Sequence, residues 1–358
     1  MTIPEPLFLN MNDYQKIKTD LNAHIVHTEP VWKRMIQWLR KMMAPQYRTP
    51  QTMLSVIVPV YNTGPYLEEC LNSIVNNGNL PVTEIICVND GSADGSLEIL
   101  KQFARKYPFI TIISQRSGGL SAARNTGLKY ANGKYVHFIN SYDMIKPGSY
   151  RLLFDLLERN NPDIIYFNTR TICKKPQQGN EYPNDPHAGV SDREDNTCIS
   201  GEECFIRLCT HGSSEVQQAD CYITRKSLLD RTGIIFPRGF INADCLFTVE
   251  TMILADRVMQ INDQLYVSRT LENAPAVSRI RFEHSLGYFV TYKGLSEFSG
   301  RHFTNNKTGD LLREKCRQFH DLSVNCYRQL DNPEEQKEYL QIDQQLSEQF
   351  FTEVVCRK

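Results

Sequence analysis

Several features that would assign a protein at a glance are missing from this chain. No apolar run approaches the ~18 residues of a membrane-spanning helix, so a soluble or peripheral protein is expected. The formal net charge is only −1, which argues against chain-wide attraction to nucleic acid; no nucleic-acid partner is expected. G-x-S-x-G, Walker A and G-x-G-x-x-G are all absent, which lowers the hydrolase, P-loop and dinucleotide-dehydrogenase readings. The histidines show no H-x-x-x-H spacing, so no zinc site is indicated. The 11 cysteines stand singly, odd in number and without a C-x-x-C pair. With no secretory leader recognised, that pattern predicts reduced thiols in a cytoplasm, serving as small core residues. Internal repeats and low-complexity tracts are lacking too.

What is present is a chain of 358 residues with 41% hydrophobic composition. That is ample for a buried core without a disulfide or metal staple, and long enough for about two domains. Residues 1–52 differ in pattern from the rest of the chain and read as an N-terminal helical extension. Within it, VWKRMIQWLRKMM (31–43) sets Trp32, Met35, Ile36, Leu39 and Met43 at helical spacing, with Lys33, Arg34, Arg40 and Lys41 mostly opposite. Such a stripe suits packing on the next domain, its commoner use. It also suits a peripheral contact with an anionic membrane.

From Leu54 the pattern alternates. LSVIVPVYN, EIICVND, ITIIS, YVHFIN and DIIYFN are apolar, β-branched runs of strand length, separated by the helical stretches PYLEECLNSIVNN, SLEILKQFARKY, GLSAARNTGLKYANG and SYRLLFDLLERN. Near-continuous apolar strands between amphipathic helices predict an α/β fold, a mostly parallel sheet covered on both faces. Ligands of such sheets lie at the carboxyl ends of the strands. Residues 171–200, rich in Pro, Gly, Asn and Asp, read as a long excursion or flexible loop. Beyond about Ser278 the chain reads as helical, with LLREKCRQFHDLSVNCYRQL and QQLSEQFFTEVVC as amphipathic stretches.

Three strand-end loops carry chemistry. VPVYNTGPYL brings Pro59, Tyr61 and Asn62 to the first, ICVNDGSADGS brings Asp90, and SGGLSAARNTG brings glycines and Arg124. An aromatic ring stacks on a base, a carboxylate accepts from a uracil-type ring N–H, and glycines with a cation approach phosphates. Singly, each is a common turn, helix cap or surface arginine. Together and in order they suit a nucleotide.

These stretches, with SVIVPVYNTGPYLEECLNSI and the later TGIIFPRGFINADCLF, resemble the inverting family-2 glycosyltransferases of GT-A fold over roughly residues 53–270. The resemblance implies a GT-A (Rossmann-like) domain at 53–278, with a nucleotide-binding half at 53–168 and an acceptor-side half at 169–278, and then a C-terminal helical region at 279–358. It implies that Pro59 and Tyr61 line the base pocket, that Asp90 bonds the base, and that Arg124 lies near the nucleotide or supports its loop. Asn62 belongs to the same nucleotide-sugar set. YVHFINSYDM matches the family's acidic D-x-D loop, written D-S-D-D. Asn140 and Tyr142 replace two acids there, and Asp143 keeps the last as the surviving diphosphate-side or metal ligand. Mg²⁺ or Mn²⁺ binding is therefore expected to be weak, and transfer only weakly metal-dependent. Lys146, Arg238 and Arg269 are candidate substitute cations, and Tyr142 a donor to a phosphate oxygen.

FPRGFINAD matches the segment carrying the family's E-D pair, with Ala243 in place of the glutamate and Asp244 retained. By resemblance, Asp244 is the general base that deprotonates the acceptor hydroxyl. Read locally, it is a helix N-terminal acid. The function implied is sugar transfer from a nucleotide sugar, a UDP-sugar for preference, to a saccharide or lipid-linked acceptor in bacterial cell-surface glycan synthesis. The expected place is the cytoplasm, at the inner face of the membrane if residues 31–43 bind it. The competing reading is a nucleotide-binding or scaffold module that has lost transfer chemistry. A sugar-phosphate nucleotidyltransferase is disfavoured, since its glycine-rich, Arg-containing N-terminal signature is absent.

Overall fold

The computed structural model describes residues 52–77, 83–175, 178–181, 197–210, 219–240, 244–270, 282–303, 306–329, 349–350 and 354. All but the last residue of the expected N-terminal extension, including 31–43, lies outside them.

The first half is built from β1 (Leu54–Val60), α1 (Gly64–Val75), β2 (Thr83–Asn89), α2 (Ser96–Lys106), β3 (Ile110–Ser114), α3 (Leu120–Tyr130) and β4 (Tyr135–Phe138). β1 lies between β2 and β4, parallel to both, and β3 continues the parallel run beyond β2. Every residue of β1 is buried. Its period of two is nonetheless visible in where the side chains go. Val56, Val58 and Val60 join a core with Leu67 and Leu71 of α1, whereas Ile57 joins the opposite core with Phe138. Burying each such aliphatic side chain contributes about 1.5–3 kcal/mol, and these two faces explain why the strand reads as one unbroken apolar run.

The second half adds β5 (Met144–Ile145), α4 (Ser149–Asn160), β6 (Ile164–Lys175), β7 (Gln178–Glu181), β8 (Cys198–Ile199), α5 (Gly201–Thr210), β9 (Tyr222–Arg225), α6 (Lys226–Thr232), α7 (Asp244–Ile253) and β10 (Val258–Thr270). The strand order is β3-β2-β1-β4-β9-β6-β10-β5. β9 pairs antiparallel with both β4 and β6, and β5 antiparallel with β10. The other strands on this path share one direction, so the sheet is mostly parallel as expected.

Part of the polar stretch expected to be an open excursion is sheet. β6 runs on to Lys175, paired with β10 as far as Cys173, and β7 folds back antiparallel on it. Polar composition misled there because a strand paired on both edges needs hydrogen-bond partners more than it needs apolar side chains.

Two close approaches fix α7, the helix that begins at Asp244. A Cβ added at Gly201, the first residue of α5, would lie 1.8 Å from the Met252 carbonyl oxygen. After β10 come α8 (Phe282–His302) and α9 (Lys307–Arg328). A Cβ added at Gly294 of α8 would meet Leu246 at 2.4 Å. Helix α7 is thus held from both sides by elements that a larger residue would push away.

Candidate active site

At the carboxyl end of β1 the chain turns sharply. Asn62 adopts φ 50°, a left-handed conformation that asparagine tolerates better than most residues. Its backbone N–H donates to Ser92 Oγ (3.2 Å) and its Oδ1 accepts from the Ala93 N–H (2.8 Å), tying the first two strand-end loops together. Asn62 is therefore a brace between these two loops. Tyr61, just before it, is 55% exposed and free to offer a ring face. Pro59 is buried inside β1, opposite Val88 of β2.

Asp90 comes directly after β2 and is 2% exposed. Its Oδ1 accepts from Gln115 Nε2 (2.6 Å) and the Gly118 N–H (2.9 Å), and its Oδ2 from the Gly119 N–H (2.8 Å) and Ser117 Oγ (3.3 Å). The glycine-rich loop before α3 is folded around this one carboxylate. Gly119 takes φ 83° to turn its amide inward. Gln115 was not singled out by sequence reasoning; its only signal is its place right after β3.

A second cluster forms where β4, β9 and α7 meet. Arg124, buried on α3, donates through Nη1 to Asp244 Oδ2 and through Nη2 to Asn140 Oδ1 (3.0 Å). Its guanidinium also lies 5.1 Å from the Phe236 ring centroid. Asn140 Nδ2 donates to Asp143 Oδ2 (3.0 Å) and to Asp220 Oδ2 (2.7 Å). This pattern settles the orientation of the amide: its oxygen faces the cation and its nitrogen faces the two carboxylates. An aspartate at position 140 would instead set three acids together.

Asp220 was missed by the sequence reading. It sits in ADCYITR, directly ahead of β9, and an acid preceding a buried strand is the one available signal. Its backbone carbonyl accepts from His137 Nε2 (3.0 Å), so the His137 proton is on Nε2, leaving Nδ1 to accept from Tyr150 Oη (3.0 Å). Burial pushes His137 down to about 4, so the ring is neutral. It is a core histidine, with no part in metal binding.

Asp143 is placed differently from the expectation of a metal-side ligand. It has no exposed surface. Its Oδ1 accepts from the Arg269 N–H (2.7 Å), and its Oδ2 from Tyr266 Oη (2.7 Å) and Asn140. Burial, then the nearby Asp220, push its carboxyl up to about 7 against these donors; Asp220 is also raised, chiefly by burial. Asp143 faces inward because the acidic loop turns at Asn140 and hands its last acid to β10.

Arg269, a candidate substitute cation, is likewise turned inward. It donates to Glu69 Oε2 (2.9 Å) and lies over the Tyr66 ring at 5.1 Å. Lys146 and Arg238 are exposed. Among the described residues no group of three or more His, Cys, Asp or Glu comes together as a cation site. With Tyr142 in an acid's place, Asp143 is the only carboxylate left in this loop and has no exposed surface, so the loop does not fit a divalent cation. Nor is any helix among the described residues long and apolar enough to cross a membrane.

Asp244 differs from Asp143 in its exposure. Arg124 holds one of its oxygens, and the side chain keeps 24% of its surface open, against 3% for Arg124. A mostly parallel α/β sheet with a buried carboxylate at one strand end and an arginine-held carboxylate at the start of a flanking helix is an arrangement similar to the GT-A fold.

Residues 55–205 match the family model described as glycosyl transferase family 2. The chain is 31% identical over 236 residues to the uncharacterized glycosyltransferase EpsJ of Bacillus subtilis, covering 65% of each chain. It is 42% identical over 117 residues to the poly(ribitol-phosphate) beta-glucosyltransferase of Bacillus spizizenii, covering 31% of this chain and 18% of that one. The chain thus spans less than two thirds of the length of these relatives. Among solved structures, S. aureus TarS 1–349 in complex with UDP-GlcNAc superposes with TM-score 0.61 at 20% identity, covering 84% of this chain and 81% of that one. That likeness speaks for the shared fold.

Proposed function

We propose that this protein transfers a sugar, with inversion, from a nucleotide sugar to a hydroxyl of a saccharide or lipid-linked acceptor in bacterial surface-glycan synthesis. The observation that carries the reading is the joining of Asp244 and Asn140, 104 positions apart in sequence, through the single guanidinium of Arg124. The named acceptor of the poly(ribitol-phosphate) beta-glucosyltransferase, a polyol-phosphate polymer, supports a surface glycan as the acceptor class. The described cysteines are all free thiols, which suits work in the cytoplasm.

In this reading the base stacks on Tyr61 and its ring N–H is received by Asp90. The open oxygen of Asp244 takes the proton from the acceptor hydroxyl as that oxygen attacks the anomeric carbon. The bond from that carbon to the diphosphate breaks on the opposite face, and the nucleoside diphosphate leaves with the electron pair. Arg124 holds Asp244 in position through a charge-assisted bond. Tyr142, whose phenol is raised by burial and by Asp143, keeps its proton and is available as a donor to the leaving diphosphate.

The test is Asp244→Asn. Loss of a general base costs on the order of 10²–10⁴ in rate, so nucleoside diphosphate release should fall by that much while donor affinity by calorimetry stays within error. An unchanged transfer rate rejects Asp244 as the base. Donor binding by the unaltered protein with no turnover on a broad acceptor panel would favour the binding-module reading.

A further inference from the structure

Asp90 is held by four residues, and they are not equivalent. The Gly118 and Gly119 amides belong to the backbone turn that enters α3, and Ser117 makes the longest contact. Gln115 alone is a long side chain, and its Nε2 lies 2.6 Å from Asp90 Oδ1. A carboxamide nitrogen carries two N–H groups. One is spent on Asp90; the other is carried by a nitrogen fixed beside the carboxylate.

We infer that Gln115 is a specificity-determining residue that reads the nucleobase together with Asp90. The inference rests on the nucleotide-donor reading above and deepens it. Side by side, the carboxylate is an acceptor and the amide a donor. The edge complementary to that pair is a ring N–H next to a carbonyl, which is the imide edge of uracil. Cytosine offers the reverse, a ring nitrogen lone pair next to an amino group. It would set lone pair against carboxylate and N–H against N–H. A buried polar group left opposite the wrong partner carries a larger penalty than the right pair gains, so such reading discriminates strongly. Guanine shows the same N–H beside a carbonyl and is the purine that the pair would accept, subject to room beside Tyr61.

The experiment is calorimetry on the full chain with UDP, CDP and GDP, comparing the unaltered protein with Gln115→Met and Gln115→Glu. Met keeps the length without the donor, and Glu replaces the donor by an acceptor. The unaltered protein should bind UDP more tightly than CDP. Gln115→Met should weaken UDP by about tenfold while leaving CDP within roughly twofold, narrowing the ratio. Gln115→Glu should weaken UDP further, because it sets a second carboxylate against Asp90. Circular dichroism checks the fold; the Gly118 and Gly119 amides still hold Asp90 in either variant. An unchanged UDP-to-CDP ratio in Gln115→Met overturns the inference and leaves nucleotide binding standing. A preference of the unaltered protein for CDP does the same. Failure of the unaltered protein to bind any of the three nucleotides overturns the donor reading and this inference with it.

Discussion

Replacing Asp143 by asparagine tests whether the acidic loop of this chain serves as a buried brace. In the folded protein its carboxyl is raised from 3.8 to about 7, by burial first and by Asp220 second. At about 1.4 kcal/mol per pKa unit, a rise of that size corresponds to roughly 4 kcal/mol. The folded chain holds this proton more tightly than the unfolded chain does. The stability it contributes is therefore fully present below the unfolded value of 3.8, and it is lost as pH rises through about 7. Asparagine is neutral throughout and keeps a carbonyl oxygen for the Arg269 N–H, although its amide meets the Asn140 amide less well. Removing one of two neighbouring charges also eases Asp220, which is raised by its own burial. Urea unfolding of both proteins from about pH 4 to about pH 8 should show the wild-type advantage shrinking by up to ~4 kcal/mol, with Asp143→Asn the more stable at the alkaline end. A stability difference that is flat across that range, or that grows with pH, refutes the buried-brace reasoning.

Two further outcomes are expected from the geometry. In Gly201→Ala the new methyl would meet two backbone carbonyls, at 1.8 Å and 2.8 Å, which cannot yield as a side chain would. Overpacking of this kind should cost about 3 kcal/mol, read as a lowered Tm, and should reduce transfer by shifting α7 under Asp244. Tyr142→Asp restores an acid where the family carries one and should give the protein measurable Mn²⁺ affinity by calorimetry. No gain would mean that this loop does not lie on the diphosphate side.

The sheet was readable because its physics is local. A strand buried on both faces has to be apolar at nearly every position, and VIVPV and IICV are. A helix crossing such a sheet has to carry a stripe, as Leu67, Cys70, Leu71 and Ile74 do. Asp90, Arg124 and Asp244 stand out in the sequence for a different reason: each lies in a short ordered motif at a strand or helix end. The continuation of β6 into the polar stretch was misread because composition records what a segment could solvate, and β10 supplied partners that composition does not show.

The sequence by itself determined the alternating strands and helices of the first half and which loops gather at their carboxyl ends. Tertiary structure decided what those loops do to one another. Asp220 lies 80 positions from Asn140, and Gln115 lies 25 from Asp90; neither belongs to a motif. β9 inserts between β4 and β6, which carries Asp220 under the acidic loop. β10 brings the Arg269 amide and Tyr266 hydroxyl to Asp143, turning an expected ligand inward. A carboxylate's role is set by the donors around it and by its access to water, and both are properties of the packed sheet, which no stretch of chain holds alone.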